Sequence, residues 1–168
     1  MEYHTERFVI RDLELNDCND VYKLLNDDDI IDNLNMNKPQ SVNETKDFIE
    51  KYLDGKNKFE KYPFAIEDRT TGELIGVFLL KLDIYRESGF EYTVFLGEGY
   101  RGIGAFGEII PHMISFAFNE IKTPCLRAYI MEKNDYSIKS TIKAGFSLER
   151  IFKVDGIEGL IHSYIIYA

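Results

Sequence analysis

Apolar positions along the 168-residue chain change period several times, and each change marks an element. Arg7-Phe8-Val9-Ile10-Arg11 alternates and predicts a first strand. Asn16 or Asp17 can cap a helix that carries Val21, Leu24 and Leu25 on one face. Ser41-Val42-Asn43-Glu44 has capping-box spacing and opens a helix with Phe48, Ile49, Tyr52 and Leu53 inward, stopped at Gly55. Strand-like runs follow over Tyr62–Arg69, Leu74–Tyr85 and Phe90–Leu96, joined by short turn-rich links, as in an antiparallel meander. A glycine-rich segment, 97–107, leads into a helix reaching about Glu120. Leu126–Met131 reads as a strand and Ser137–Ala144 as a short helix closed by Gly145. Phe146–Lys153 and Leu160–Tyr167 read as strands around an Asp155-Gly156 turn. The expected order is βααβββαβαββ, an α/β (α+β) fold with a mixed, mostly antiparallel central sheet flanked by helices. The length suits a single domain over 1–168.

Composition narrows the function. Hydrophobic residues make up 45% and aromatics 14%, enough for a packed core. No apolar run approaches the ~20 residues of a membrane helix, and Met1–Arg7 lacks the apolar stretch of a signal peptide. The expectation is a cytoplasmic protein with no membrane partner. Cys18 and Cys125 fit no metal spacing and read as reduced, buried thiols, so no metal is expected. The net charge of −9 argues against nucleic acid, which needs a basic face, and favours a cationic small molecule or a basic protein tail. The same charge also serves solubility alone. Monomer and homodimer are both compatible with the sequence.

The chemical signal is Gly99-Tyr100-Arg101-Gly102-Ile103-Gly104-Ala105-Phe106-Gly107, after a strand and before a helix. Backbone N–H groups at such a junction sit at the positive end of a helix dipole and suit a phosphate or pyrophosphate. Arg101 adds a charge; a tight turn needing glycine for conformation is the plainer reading. Gly102, Gly104 and Gly107 also spell a dinucleotide-binding fingerprint, with Glu132 downstream as a ribose-binding acid. That motif should open a parallel βαβ array. Here a meander precedes it and too little chain follows, so a nucleotide-dependent oxidoreductase is set aside.

Three segments together resemble the GNAT acetyltransferase superfamily, especially the subgroup that acetylates ribosomal-protein N-termini. Thr5–Arg11 with the acidic helix after it resembles that subgroup's opening. Glu91-Tyr92-Thr93-Val94-Phe95-Leu96 running into Tyr100-Arg101-Gly102-Ile103-Gly104 resembles the fourth strand and the pyrophosphate loop, Arg/Gln-x-x-Gly-x-Gly/Ala. Asn134-Asp135-Tyr136-Ser137-Ile138, ending in Ala144-Gly145-Phe146, is similar to the Asn-x-x-Ser-Ile…Gly-Phe helix. Three departures stand out. Phe106 replaces Gly or Ala, with Gly107 one place later; Pro111 falls inside the expected helix; and Thr141 stands where many relatives carry a tyrosine acid. For Pro111 two outcomes are open: a helix kinked near Gly107, or one that starts near Pro111 after a longer loop.

The resemblance implies acetyl transfer from acetyl-CoA to a primary amine, either a small cationic amine or a protein N-terminus, in a ternary complex. An amine near pKa ~10 is protonated at neutral pH, so the site must remove a proton, hold the nitrogen at the thioester carbonyl, stabilise the oxyanion and protonate the thiolate. By resemblance, the strand 91–96 splays from the strand 126–131, and Phe95 and Leu96 pair with the cofactor's amide arm. Arg101, Gly102, Ile103, Gly104, Ala105, Phe106 and Gly107 cradle the pyrophosphate. Asn134 bonds the cofactor or its own turn. Glu91 matches the family's acidic base; the plain alternative is an exposed strand carboxylate. Ser137 is the candidate acid for the thiolate, with helix capping as its alternative role, and Tyr136 is a substitute acid. Asp27, Asp28, Asp29 and Asp32 cluster where the first helix ends, near the acceptor pocket of relatives; capping a short helix over 30–34 is their structural alternative. Asp28, Asp29 and Asp32 are therefore candidate acceptor-binding residues. A non-catalytic acyl-CoA-binding sensor on the same fold is the competing function.

Overall fold

A computed structural model describes all residues, 1–168. The elements are β1 (Glu2–His4), β2 (Phe8–Asp12), α1 (Cys18–Leu24), α2 (Asp28–Leu34), α3 (Val42–Asn57), β3 (Lys61–Asp68), β4 (Leu74–Leu82), β5 (Phe90–Leu96), α4 (Ala105–Phe116), β6 (Cys125–Met131), α5 (Asp135–Lys143), β7 (Ser147–Phe152) and β8 (Ile161–Tyr167). The fold class is the expected one, mixed α/β with mostly antiparallel strands. Two elements extend the expected order. β1 is a three-residue edge strand too short and polar to carry a period, and α2 is a full helix. The chain forms two compact units: Met1–Lys81 with Thr93–Ala105, and Leu82–Tyr92 with Phe106–Ala168.

In the first unit the strands run β1-β2-β3-β4 and on to the second half of β5, with the pairs among β1 to β4 antiparallel. Val21, Leu25, Ile30 and Ile49 from the three helices pack on Ala65, Val77, Leu79 and Phe95 from the strands. Burial of these helical faces, more than intrinsic propensity, holds such short helices. Ser41 caps α3 by accepting the Glu44 N–H at 3.3 Å. The Glu44 carboxylate reaches back to the Gln40 N–H at 3.0 Å, one residue earlier than a standard capping box. The expected stop at Gly55 is corrected: α3 continues to Asn57. Gly55 is buried, and a Cβ there would come within 2.5 Å of the Lys61 side chain, so the glycine serves packing. Gly76 on β4 serves a similar close approach, since a Cβ would meet the Phe95 carbonyl oxygen at 2.7 Å.

In the second unit the order is β5-β6-β8-β7. β5 runs parallel to β6 over Phe90, Glu91 and Tyr92, while β6–β8 and β7–β8 are antiparallel. On α4, Phe106, Ile109, Ile110 and Met113 recur at helical spacing and are all buried. Pro111 lies inside the helix, on its exposed face, so the alternative of a later start at Pro111 is ruled out. A π-helical turn, Ala117–Ile121, ends the segment at Lys122, which adopts a left-handed φ of 62°.

Candidate active site

Glycine loop chemistry starts from backbone conformation. After β5, a 3-10 turn over Glu98–Tyr100 leads to Arg101 and then to Gly102 and Gly104, at φ 76° and 83°. Side chains other than glycine rarely adopt these angles, so the two glycines let the chain reverse into α4 within four residues. Residues 102–104 are exposed, and a Cβ on Gly102 or Gly107 would meet nothing within 4 Å. The first-turn N–H groups of α4 have no acceptor inside the helix. An open loop of this kind at a helix start fits a diphosphate. Ala105 and Phe106, by contrast, are buried and can offer a ligand only their backbone.

The Arg101 side chain is engaged within the first unit. Its Nε donates to the Leu96 carbonyl at 2.8 Å, one terminal nitrogen pairs with Asp27, and the other stands 3.4 Å from Asp29. Arg7 donates to the Ile103 carbonyl at 3.0 Å. The aspartates divide by task. Asp27 caps α2, accepting the Asp29 N–H at 2.9 Å, which bears out the capping alternative for that residue. Asp28 is exposed and pairs with Lys38 at 2.8 Å. Asp29 and Asp32 are exposed as well.

In the second unit Glu91 is only 5% exposed, which corrects the alternative of an exposed strand carboxylate. It stands in register with Arg127 on β6. By strand alternation Glu91, Arg127 and Tyr129 share one face, and Tyr92 lies on the other. Asp83 is the buried hub of that polar face: it accepts the Tyr129 hydroxyl at 2.7 Å and an Arg127 nitrogen at 3.1 Å. Arg127 also forks onto Glu149, whose carboxylate takes the Ser163 hydroxyl at 2.8 Å. Burial pushes the Tyr129 phenol above its ordinary pKa, with Asp83 and Glu91 adding to the rise. Burial works against the Glu149 charge, yet the Arg127 and Ser163 hydrogen bonds bring its carboxyl below the usual value. Sequence reasoning passed over this cluster. Its one local signal was Arg127 inside the apolar run Leu126–Met131.

On the opposite face Tyr92 is buried, packs against Phe106 and Phe146, and exchanges a 2.8 Å hydroxyl hydrogen bond with Thr141. Thr141 is thus a buried partner of a phenol from β5. The expected capping alternative for Ser137 is corrected. Asn134 is the N-cap of α5, its side chain accepting the Ser137 N–H at 3.1 Å. Asn caps at least as well as Ser because its carbonyl reaches the N3 amide. Ser137 is half-buried and Tyr136 is 51% exposed. No helix is long and apolar enough to cross a membrane.

Comparison with known proteins agrees with the fold. Residues 7–147 match the family model for an acetyltransferase (GNAT) domain. The chain is 23% identical over 150 residues to an uncharacterised N-acetyltransferase, p20, of Bacillus licheniformis, spanning 89% of this chain and 84% of that one. It shares its fold with the spermidine N-acetyltransferase of Vibrio cholerae, solved with CoA and spermine (TM-score 0.80, 19% identity, 96% and 95% of the two chains). The ribosomal-protein-S5-alanine acetyltransferase of Vibrio fischeri has the same fold (TM-score 0.84, 13% identity, 99% and 96%). GNAT acetyltransferases use acetyl-CoA as their acyl donor. On the match across 7–147, this chain belongs to the GNAT acetyltransferase family.

Proposed function

We propose that the protein is a cytoplasmic, single-domain N-acetyltransferase whose acceptor is a cationic primary amine, either a small amine or a protein N-terminus. The observation that carries the reading is the exposed Gly102–Gly104 turn delivering β5 into the start of α4. In this reading the loop from Arg101 to Gly107 takes the diphosphate of acetyl-CoA through backbone N–H groups. Phe95 and Leu96 take the amide arm by their backbone. The parallel ladder of β5 ends at Tyr92, which supports that role. The Leu96 carbonyl is held by Arg101, so Phe95 and the remaining N–H groups carry the pairing. Asn134 and Ser137 add cofactor contacts.

Glu91 accepts the proton of the ammonium through water. The freed nitrogen attacks the thioester carbon, the C–N bond forms and the C–S bond breaks. Ser137 or Tyr136 gives a proton to the departing thiolate and is restored by the second proton that the nitrogen sheds as the amide forms. Asp28, Asp29 and Asp32 draw the cationic acceptor; their exposure and the net charge of −9 support this.

Release of free thiol from acetyl-CoA, measured against polyamines and N-terminal peptides, tests the reading. Glu91→Gln should lower kcat by roughly 10²–10⁴-fold, the range for loss of a general base, with acetyl-CoA affinity kept. Tight CoA binding without thiol release for any amine would instead establish an acyl-CoA sensor.

A further inference from the structure

Arg101 is the basic side chain of the strand-to-helix loop, and its three nitrogens all have partners in the first unit. Nε holds the last carbonyl of β5, and the terminal nitrogens reach Asp27 and Asp29. Asp27 is used at both oxygens: Oδ1 caps α2 and Oδ2 takes Arg101. With side-chain exposures of 29% and 26%, the pair is partly withdrawn from water, where a charge-assisted bond holds a fixed geometry better than at an open surface. Two carboxylates outweigh the single guanidinium charge, so no net positive potential is left for a phosphate. Arg7 braces the same loop at the Ile103 carbonyl. In a trans peptide the following N–H points opposite to that carbonyl, so the brace aims the Gly104 N–H away from Arg7.

We propose that Arg101 and Asp27 are positioning residues for acetyl-CoA. The pair braces the loop so that its backbone N–H groups converge on the diphosphate, and the Arg101 side chain is not itself a phosphate ligand. This rests on the acetyl-CoA reading above.

Calorimetric titration of the full chain with CoA, and with acetylpantetheine, which lacks the diphosphate, tests it in wild type, D27N, R101Q and the double variant. Asn keeps the helix cap but removes the charge. Each single substitution should weaken CoA binding about tenfold, the order of one charge-assisted hydrogen bond. The double variant should be no weaker than the singles, because both remove the same brace. Acetylpantetheine affinity should not change. The proposal is overturned if D27N matches or exceeds wild type in CoA affinity while R101Q loses it, since Arg101 would then be a direct phosphate ligand. Additive losses overturn it as well, as do equal losses for acetylpantetheine. A wild-type chain that does not bind CoA sinks the functional reading itself; CoA binding insensitive to both substitutions sinks only the brace.

Discussion

At the residue scale, Tyr92 has a measurable consequence. Its phenol is buried among Phe106, Phe146 and Thr141, and burial raises its pKa well above the ordinary value near ~10. The folded state therefore binds this proton more tightly than the unfolded chain. The resulting stability is fully present below about pH 10 and is lost as pH rises through the folded-state value. Tyr129 acts in the same direction. Urea denaturation between pH 8 and 11 should show stability falling above about pH 10, with a shallower fall in Tyr92→Phe. An equal slope in wild type and variant would assign the loss to other groups. Glu91 was legible as a strand position in the sequence. Its burial was not, because burial depends on tertiary pairing: β5 lies in register with Arg127 on β6, thirty-six residues further along the chain.

At the scale of elements, the sequence left open what Pro111 does to the helix that contains it. α4 starts at Ala105 and runs through the proline, which cannot donate to the Gly107 carbonyl one turn back. One feature makes this tolerable: Pro111 and Gly107 both lie on the exposed face, where water can take the carbonyl that the proline leaves without a donor. Pro111→Ala should restore the missing hydrogen bond and raise unfolding stability by about 1–3 kcal/mol, read as a higher urea midpoint at constant slope. No gain would mean that the helix has already relaxed around the ring. Element types were legible because periods of two and 3.6 survive in the apolar pattern. Ends were less so. Gly55 looked like a stop signal but is set by the Lys61 side chain beside it, and the cap of α5 is Asn134 where Ser137 also had capping chemistry.

At the scale of the whole molecule, charge governs encounter. A net charge of −9 attracts a cationic amine and repels the polyanionic acetyl-CoA. With a polyamine acceptor, raising salt from 50 to 300 mM should increase the acceptor KM several-fold, because screening acts over about a Debye length. The acetyl-CoA KM should stay level or fall. An acceptor KM indifferent to salt would remove electrostatic attraction from the account and leave shape to select the amine.

The sequence by itself determined the fold class, the order of most elements and the place of the glycine turn between a strand and a helix. Each of these is written in contiguous residues: a period, a cap, or glycines at a strand–helix junction. Tertiary structure decided what each charge does. Arg101 looks like a free cation beside that loop, yet it meets Asp27 and Asp29 across more than seventy residues of chain. Asp83 and Arg127, forty-four residues apart in the chain, become a buried ion pair on the face that Glu91 shares. Electrostatic roles depend on distance and burial, and neither is set until the chain has folded.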